Sequence, residues 1–495
     1  MLKRLFLALL LTLAPVAAEP DMNAILPRFR QLCQEALKAS GVPGCSVAVV
    51  YKGKVVMLEG FGVTNVDRPT PVTADTVFHL ASCSKPIATS AVAALVGEQK
   101  VSFDTLIAEL DPAFQLNDPW VTSHLTVRDL LCHRSGLPGQ AGNELEELGF
   151  DQASILHNLR EVPLDNRFRS SYSYSNFGIT AGCVAATRGQ FDLVCKTKIF
   201  DPLGMKSTST RYADFARASD RAREHILEDG KAVQRYDRMP DAQAPAGGVS
   251  STARDLSRFL LLHLGEGTVD GKQIVAREAL LATHQPLMVT GFNPATFSTG
   301  FYGLGWASSY NRHGMLEVKH SGAFSTGTRS QLLLIPEAEL GIAILCNAFP
   351  SGLPEGLSSG LVSLVLDGKG SLEDVMATER KVGQGMAGMV DGGLSWSQRP
   401  AQGQAPVAAQ AIEGSYDNAY FGPARVAGMQ LSFGPDLRVT APLRPWDGST
   451  FYYEADLKDG PLVTLVRFEL GPDGQATAFR LEQLDNWKTA RFARR

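Results

Sequence analysis

One stretch organises the chain: Thr76-Val77-Phe78-His79-Leu80-Ala81-Ser82-Cys83-Ser84-Lys85. A short strand-like run leads through it into an apolar helix predicted from Pro86 to about Val96. Residues three apart on a helix share a face, so Ser82 and Lys85 are predicted to point the same way. A serine hydroxyl becomes a nucleophile when a base takes its proton, and a desolvated lysine amine can be that base. The stretch therefore predicts a serine nucleophile with a lysine partner.

The Ser-x-x-Lys pair alone is a short motif, which chance produces about once in a chain of this length. The alternative interpretation is a capped core helix that carries a solvated lysine. The residues that follow Lys85 are mostly Ala, Val, Ile and Leu, which predicts a buried helix holding both groups rigidly. The dipole at its N-terminus would favour negative charge that develops near Ser82.

Composition is that of an ordinary globular protein. The chain has 495 residues, of which 44% are hydrophobic and 20% charged, so two or three domains are expected. The formal charge is −4 and no basic block interrupts the sequence, which argues against nucleic acid as a partner.

Met1 to Ala18 is predicted to be a cleaved signal peptide. Lys3 and Arg4 form its positive end, Leu5 to Leu13 its apolar core, and Val16-Ala17-Ala18 its cleavage site. The apolar core is too short to span a bilayer, and the alternative is an uncleaved anchor. We therefore expect a periplasmic or secreted protein without stable membrane insertion.

Seven cysteines give an odd count, so at least one thiol is expected to be free. Cys183 and Cys195 are a candidate pair in an oxidising compartment, which sequence alone leaves open. Cys83, beside Ser82, is interpreted as a packing residue. There is no C-x-x-C pattern and no H-E-x-x-H pattern, so we expect neither a metal site nor a cofactor.

The pattern of apolar runs predicts two domains. Residues 26–382 combine a β-hairpin, Cys45 to Tyr51 followed by Lys54 to Gly60, with a helical region at about 140–290 and further strands from Tyr302 to Asn347. This predicts an α+β fold, an antiparallel sheet flanked by helices with a helical subdomain. Residues 383–410 are rich in Gly, Gln, Ala and Pro and are predicted to be a linker. About seven short strands then predict a small all-β domain over 411–495.

A second candidate element is Ser173-Tyr174-Ser175-Asn176-Phe177-Gly178. Tyr174 can relay a proton where a nearby ammonium stabilises its phenolate. Asn176 offers both a donor and an acceptor to an amide substrate. The alternative is a turn in which the tyrosine packs and the asparagine binds local backbone.

A third element, His320-Ser321-Gly322-Ala323, follows the predicted strand Leu316 to Lys319. Glycine in an edge strand lets a substrate backbone approach closely, and the Ala323 N–H can help to bind an oxyanion. The alternative is an ordinary strand that ends in a polar turn. A separate G-x-S-x-G match, Gly356 to Gly360, is interpreted as part of a helix because no strand leads directly into its serine.

In this order the three elements resemble the motifs of the serine β-lactamase/penicillin-binding-protein superfamily, in particular class C β-lactamases and CubicO-type hydrolases. Three accessory phrases are similar as well: Leu130-Leu131-Cys132-His133-Arg134-Ser135-Gly136-Leu137, Ile199-Phe200-Asp201-Pro202-Leu203-Gly204-Met205 and Tyr302-Gly303-Leu304-Gly305-Trp306. The resemblance covers about 26–366 and implies a β-lactamase/transpeptidase-like fold.

The resemblance also implies roles for individual residues. Ser82 would be the acylated nucleophile, while Lys85 and Tyr174 would share the general-base and general-acid work, in an order that is left open. The substrate would contact Asn176 and the motif that contains His320, Gly322 and Ala323. The backbone N–H groups of Ser82 and Ala323 would form the oxyanion hole.

The third motif departs from the Lys-Thr-Gly that β-lactamases and D-alanyl carboxypeptidases usually carry. His320 stands in place of the lysine, and a neutral histidine is a weaker partner for a substrate carboxylate. The motif is closer to those of esterases and D-aminopeptidases. Lys319 is adjacent, but it should face the other side of the strand.

The C-terminal module resembles the lipocalin-like domain that many of these hydrolases carry. The phrases that carry this likeness are Gly414-Ser415-Tyr416-Asp417-Asn418-Ala419-Tyr420-Phe421-Gly422 and Trp446-Asp447-Gly448-Ser449-Thr450-Phe451. A structural role is the simplest expectation for it. Shielding of the active-site mouth, an oligomer contact and binding of cell-wall material are the alternatives.

The prediction is thus an exported serine hydrolase that cleaves amide or ester bonds through an acyl-enzyme on Ser82. Its expected substrates are D-amino-acid peptides, including peptidoglycan-derived ones, or small esters. The alternatives are a weak class C-like β-lactamase, an esterase, or a sensor that binds peptidoglycan or β-lactams and is acylated without turnover. The sequence predicts no oligomeric state.

Overall fold

The computed structural model describes residues 19–165, 167–293, 298–390, 394, 399–400, 403–457 and 460–495. The predicted signal peptide, residues 1–18, lies outside them. Within the described part of the chain, no helix is long and apolar enough to cross a membrane.

The helices of the described residues are mostly short, and three of them exceed 14 residues. In chain order they are α1 Met22–Ser40, α2 Ser84–Gly97, α3 Ile107–Leu110, α4 Pro119–His124, α5 Val127–Leu131, α6 Asn143–Glu147, α7 Gln152–Asn158, α8 Asn176–Ala186, α9 Phe191–Cys195, α10 Asp201–Leu203, α11 Tyr212–Arg217, α12 Ala253–Leu264, α13 Arg277–His284, α14 Leu353–Asp367, α15 Leu372–Val390 and α16 Ala409–Ile412.

The strands form one large sheet, several small ribbons and a barrel. In chain order they are β1 Gly44–Tyr51, β2 Lys54–Gly62, β3 Phe78–His79, β4 His225–Glu228, β5 Lys231–Val233, β6 Ser250–Ser251, β7 Thr268–Val269, β8 Lys272–Gln273, β9 Met288–Asn293, β10 Ser298–Tyr302, β11 Ala307–Tyr310, β12 Leu316–Phe324, β13 Thr328–Ile335, β14 Leu340–Cys346, β15 Ala348–Phe349, β16 Gly414–Asp417, β17 Ala424–Ala427, β18 Gln430–Phe433, β19 Val439–Asp447, β20 Thr450–Leu457, β21 Gly460–Leu470, β22 Ala476–Leu481 and β23 Arg491–Arg494.

The large sheet is antiparallel and has eight strands in the order β2-β1-β14-β13-β12-β11-β10-β9. Its centre is apolar on both faces because alternate side chains along a strand point to opposite sides. Along β1, Val47 and Val49 join the core beneath α1 and α14, while Ala48 and Val50 join the core that contains α2 and α12. The predicted α+β fold, with helices on both faces of an antiparallel sheet, is confirmed.

The segment between β2 and β9 holds the helical subdomain, α3 to α11, and the buried helix α2. Every residue of α2 from Ser84 to Leu95 is buried. A helix that is apolar all round is stable only inside a core, so α2 is fixed on every side. It provides a rigid support for the turn that precedes it.

The C-terminal domain is a closed barrel of eight antiparallel strands, β16 to β23. The sequence predicts about seven strands, and the structure adds one. The barrel fits the lipocalin-like domain expected from the resemblance. Its interior is filled mainly by aromatic and aliphatic side chains, among them Tyr416, Phe451, Phe479 and Phe492.

Helix α15 overlaps the predicted boundary between the two domains. Helix α15 continues to Val390, past residue 382, so helix covers the first part of the stretch predicted to be a linker. The boundaries themselves stay a prediction.

All seven cysteines are buried free thiols, and the candidate pair Cys183 and Cys195 is therefore not formed.

Candidate active site

Ser82 lies in a single 3₁₀ turn, Ala81–Cys83, between the two-residue strand β3 and helix α2. The helix predicted from Pro86 begins two residues earlier, at Ser84. The turn is strained because Ala81 has a φ of 45°, which costs a non-glycine residue about 1–2 kcal/mol. Ala81 is fully buried, so the surrounding core holds this conformation. Such stored strain clusters at active sites, and here it precedes the candidate nucleophile.

The hydroxyl of Ser82 has two polar neighbours. Lys85 Nζ lies 2.9 Å from Ser82 Oγ, and the Tyr174 hydroxyl lies 2.7 Å from it. The i, i+3 spacing therefore brings Ser82 and Lys85 together although the serine is in the turn. Tyr174 reaches the same oxygen from a position 92 residues further along the chain.

Lys85 is fully buried, and burial lowers the pKa of its amine well below the usual value. Besides Ser82, its Nζ contacts two oxygens that can only accept, Asn176 Oδ1 at 2.7 Å and the Ala246 carbonyl at 2.9 Å. A neutral amine has two N–H bonds and one lone pair. When the two N–H bonds go to these acceptors, the lone pair faces Ser82 Oγ and can take its proton.

Tyr174 is held as a neutral phenol. Burial raises its pKa above the ordinary value for a tyrosine, while its hydrogen bond to Ser82 acts in the opposite direction with a smaller effect. A phenol that keeps its proton donates to Ser82 Oγ, which leaves Lys85 as the acceptor. The geometry of the free site thus gives the two groups different tasks.

Asn176 is the first residue of α8, whose N-terminus is capped by Ser175. Its amide Nδ2 donates to Gln140 Oε1 at 3.2 Å and to Asn143 Oδ1 at 3.3 Å. These two contacts fix the amide so that Oδ1 faces Lys85. Gln140 and Asn143 carry no motif, and no local signal in the sequence identifies them.

His133 is a further buried residue of the site. Its Nδ1 accepts a hydrogen bond from the Ser175 N–H at 3.0 Å, and its ring centroid lies 4.5 Å from that of Tyr174. Burial disfavours the charged imidazole and lowers its pKa well below the usual value, so it is neutral. His133 belongs to the accessory phrase Leu130–Leu137, which by itself assigns it no role. Membership of that phrase is the one sequence signal that points to this residue.

His320 lies within β12, which extends to Phe324 rather than ending before the motif. Its Nδ1 donates to the Ser321 carbonyl at 2.8 Å, so its Nε2 accepts from the Tyr302 hydroxyl at 2.9 Å. Burial disfavours the charged imidazole and lowers the pKa of His320 to about 3. His320 is therefore neutral, with both ring nitrogens hydrogen-bonded, and it offers no positive charge to a substrate carboxylate.

Gly322 and Ala323 continue the same strand past the candidate nucleophile. A Cβ at Gly322 would lie 2.1 Å from the Leu80 carbonyl oxygen and 3.0 Å from the Ser82 nitrogen, so only glycine fits. Among the described strands, the register of β11 on β12 ends at Lys319 and residues 320–324 pair with β13 alone. Ala323 thus lies on a strand segment with one open edge, beside the turn of Ser82.

A cleft with a volume of ≈ 1480 Å³ collects these groups. The predicted residues that line it are Ser82, Tyr174, Asn176, His320 and Ala323. Lys85 lies behind Ser82 in the core, and Gly322 supports the strand from within. Every predicted site residue is therefore at, or directly behind, one wall of the cleft.

Neither a nucleophile elbow at Ser358 nor a metal-ligand cluster is present among the described residues. Ser358, the serine of the G-x-S-x-G match, lies inside α14 and is 2% exposed, so it is not at a nucleophile elbow. Over the described residues, no group of three or more His, Cys, Asp or Glu side chains could hold a metal ion.

A family model described as Beta-lactamase matches residues 29–364. The chain belongs to the beta-lactamase family. The match covers more than half of the chain and includes all the residues of the cleft discussed above. The C-terminal barrel lies outside it.

Curated relatives support this assignment. The chain is 28% identical over 317 residues to penicillin-binding protein 4 of Amycolatopsis lactamdurans, which covers 62% of this chain and 81% of that protein. It is 26% identical over 356 residues to unguisins hydrolase ungD′ of Aspergillus campestris, which covers 69% of this chain and 65% of the fungal protein. The chain thus spans less than two thirds of the fungal relative.

Among solved structures, the chain is similar to the octameric penicillin-binding protein homologue from Pyrococcus abyssi. The TM-score is 0.61 at 19% identity, and the likeness covers 94% of this chain and 99% of that one. At this identity the similarity shows the fold alone, and it includes the barrel.

Proposed function

We propose that this beta-lactamase-family protein is an exported serine hydrolase that cleaves amide or ester bonds through an acyl-enzyme on Ser82. Its substrates are D-amino-acid peptides or small esters. The observation that carries the proposal is the placement of Ser82 Oγ between a buried Lys85 amine and the Tyr174 hydroxyl, at 2.9 and 2.7 Å. Export rests on the sequence of residues 1–18 alone.

The proposed reaction begins when Lys85 takes the Ser82 proton as Oγ attacks the substrate carbonyl carbon. The carbonyl oxygen becomes an oxyanion, which accepts hydrogen bonds from the backbone N–H groups of Ser82 and Ala323. Lys85 is then an ammonium next to Tyr174, with its Nζ 4.6 Å from the centroid of the phenol ring. Tyr174 gives its proton to the leaving amine or alcohol and regains one from Lys85, which restores the neutral pair.

Hydrolysis of the acyl-enzyme repeats these transfers with water as the nucleophile. The same base accepts the proton of water, and the proton returns to Ser82 Oγ as the ester bond breaks. No other protein group has to change charge, because His133 and His320 are held neutral by burial.

Because His320 is neutral, the proposal does not include efficient β-lactam hydrolysis. A β-lactam carries a carboxylate, and His320 offers it no charge because its pKa is about 3. Uncharged esters and amides do not need that charge. The hydrolase name of the fungal relative supports turnover, and the penicillin-binding name of the bacterial relative supports acylation.

Purified mature protein incubated with p-nitrophenyl acetate, a D-alanyl peptide and a fluorescent penicillin tests the proposal. Intact mass and released product are followed together. We expect turnover of the ester or the peptide with a transient mass gain at Ser82. Stable acylation without product would favour a sensor, and the penicillin as the fastest substrate would favour a β-lactamase.

Two serine variants make the test specific. Ser82→Ala removes the nucleophile and should abolish both the adduct and the turnover. Ser358→Ala alters another buried serine, the one that matches G-x-S-x-G, and should leave both unchanged. Wild-type rates in Ser82→Ala would contradict the proposed mechanism.

A further inference from the structure

A second cavity lies where the hydrolase domain meets the barrel. Its volume is ≈ 520 Å³, within the range of small-molecule pockets. The hydrolase domain contributes Ile226 and Phe349 to its wall, and the barrel contributes Leu457 and Leu462 from the adjoining ends of β20 and β21. The barrel therefore forms part of the cavity at the end of its β20–β21 hairpin, where both leucines lie on the strand face that carries the interior residue Ala455.

This cavity adjoins the catalytic cleft. Both are lined by Glu147, Arg238, Ser325 and Phe349, so these residues stand at the passage between them. A substrate bound at Ser82 that is long enough to pass Arg238 would enter the second cavity. The two cavities can thus serve opposite ends of one molecule.

The passage is polar, whereas the far wall is apolar. Arg238 Nη2 donates to Glu146 at 2.5 Å, and its guanidinium carbon lies 5.2 Å from the centroid of the Phe324 ring. Its positive charge is therefore compensated by a carboxylate. Beyond it, Leu457 and Leu462 are half-buried and present hydrocarbon to the cavity. An apolar group gains free energy there by leaving water.

We propose that this junction cavity is a subsite for an apolar end of the substrate, an aliphatic or aromatic group remote from the bond that Ser82 attacks. The inference rests on the proposed function and adds a substrate class to it. The barrel then acts in specificity through Leu457 and Leu462. A substrate with such a group is held at two points, on Ser82 and on the barrel.

The test compares Leu462→Ser with Leu470→Ser, two changes of leucine on the same strand. Leu470 is 40% exposed and does not line the junction cavity. Esters with acetyl, butyryl and hexanoyl groups on p-nitrophenol lengthen the acyl side, and D-alanyl methyl-, butyl- and hexylamides lengthen the leaving side. Each methylene buried should raise kcat/KM by up to about fourfold in one of the two series.

In the wild type and in Leu470→Ser, kcat/KM should rise along that series. In Leu462→Ser the ratio of the longest to the shortest substrate should fall by about tenfold, and Leu457→Ala should lower it as well. The same ratio in all four proteins, in both series, would overturn the subsite while ester turnover still upheld the proposed function.

A binding measurement decides the subsite even without turnover. Two proteins are compared by calorimetric titration, the Ser82→Ala variant and the Ser82→Ala/Leu462→Ser double variant. The ligands are the p-nitroanilide of hexanoic acid and D-alanyl hexylamide, and their dissociation constants report occupancy of the cavity directly. Weaker binding of one ligand by about tenfold with Leu462→Ser supports the proposal. If Leu462→Ser leaves the dissociation constants of both ligands unchanged, the proposal is overturned.

Discussion

The core behind the Ser82 cleft and the barrel interior are both buried, but they are filled by different kinds of side chain. Behind the cleft, the polar groups of Lys85 and Asn176 are buried and hydrogen-bonded to one another at 2.7 Å. In the barrel, aromatic rings stack, and the centroids of Phe479 and Phe492 lie 4.6 Å apart. In the first region burial lowers the pKa of the Lys85 amine, whereas in the second it provides packing.

The comparison shows where the barrel can contribute to function. An eight-stranded barrel has an interior that side chains can fill, and here large rings fill it. The β16–β17 loop and the adjoining ends of β20 and β21 instead contact the hydrolase domain. The Tyr420 hydroxyl donates to Glu144 in α6, and Leu462 lines the junction cavity. Substitutions can test this division between buried chemistry and buried packing, with the largest effect expected at Lys85 and the smallest inside the barrel.

Removing the amine of Lys85 should have the largest effect. Lys85→Ala deletes the amine that the geometry places to take the Ser82 proton, so kcat should fall by about 10²–10⁴. Binding should change far less, because the amine faces Ser82 rather than the open cleft. Steady-state kinetics with p-nitrophenyl acetate, together with a substrate dissociation constant, measures this. A comparable loss in both quantities would contradict a role in proton transfer.

The charge of Lys85 also predicts a pH profile. Because burial lowers its pKa, Lys85 is neutral and active above that value, and kcat/KM for an uncharged ester should fall as the pH drops through it. His320 has a pKa of about 3 and does not titrate between pH 5 and pH 9. The acidic limb should therefore persist in His320→Gln. Loss of the limb in that variant would assign it to the histidine.

Gly322→Ala should have the next largest effect. The new Cβ would press on the Leu80 carbonyl and on Ser330 Oγ, at 2.1 and 2.3 Å, and displace β12 from the turn of Ser82. Misplacement of catalytic groups by about 1 Å can cost about 10²-fold in rate. Gly385→Ala in α15 is the matched control, since a Cβ there meets nothing within 4 Å. A fully active Gly322→Ala would show that the strand does not set the site.

The part of the site that could be predicted from sequence is the part carried by short motifs. The Ser-x-x-Lys spacing and the Ser173–Gly178 segment each place two site residues within a few positions, so a local pattern and a family likeness identify them. The apolar runs of β1 and β2, joined at a glycine-containing turn, similarly predict a β-hairpin. The catalytic roles of these residues stay a prediction.

The rest depends on contacts between distant parts of the chain. Gln140, Asn143 and the Ala246 carbonyl orient Asn176 and Lys85, yet none belongs to a motif. Every residue has a backbone carbonyl, so the identity of Ala246 does not indicate that its carbonyl oxygen contacts Lys85. Helix α15 was missed for a similar reason, because packing against α14 supports a helix that contains Gly383 and Gly385.

Tyr420→Phe tests the contact from the barrel to the hydrolase domain. The variant leaves the buried Glu144 carboxyl without the donor that lies 2.6 Å away, and losing such a bond should cost about 1–3 kcal/mol. Burial already raises the pKa of Glu144, and the loss of Tyr420 should raise it further. Thermal midpoints at a fixed scan rate compare the variant with the wild type. An unchanged midpoint would mean that the contact contributes no stability.

Tyr453→Phe is the matched change inside the barrel, with the smallest expected effect and the opposite sign. Tyr453 is also fully buried, but its hydroxyl has no hydrogen-bond partner among the described residues. Removing a buried, unpaired hydroxyl relieves a desolvation penalty, so stability should rise by up to about 1 kcal/mol. The ring, which lies 5.6 Å from that of Phe433, keeps its packing. A lower midpoint would show that the hydroxyl has a polar role, and the barrel interior would then resemble the cleft more than its aromatic filling indicates.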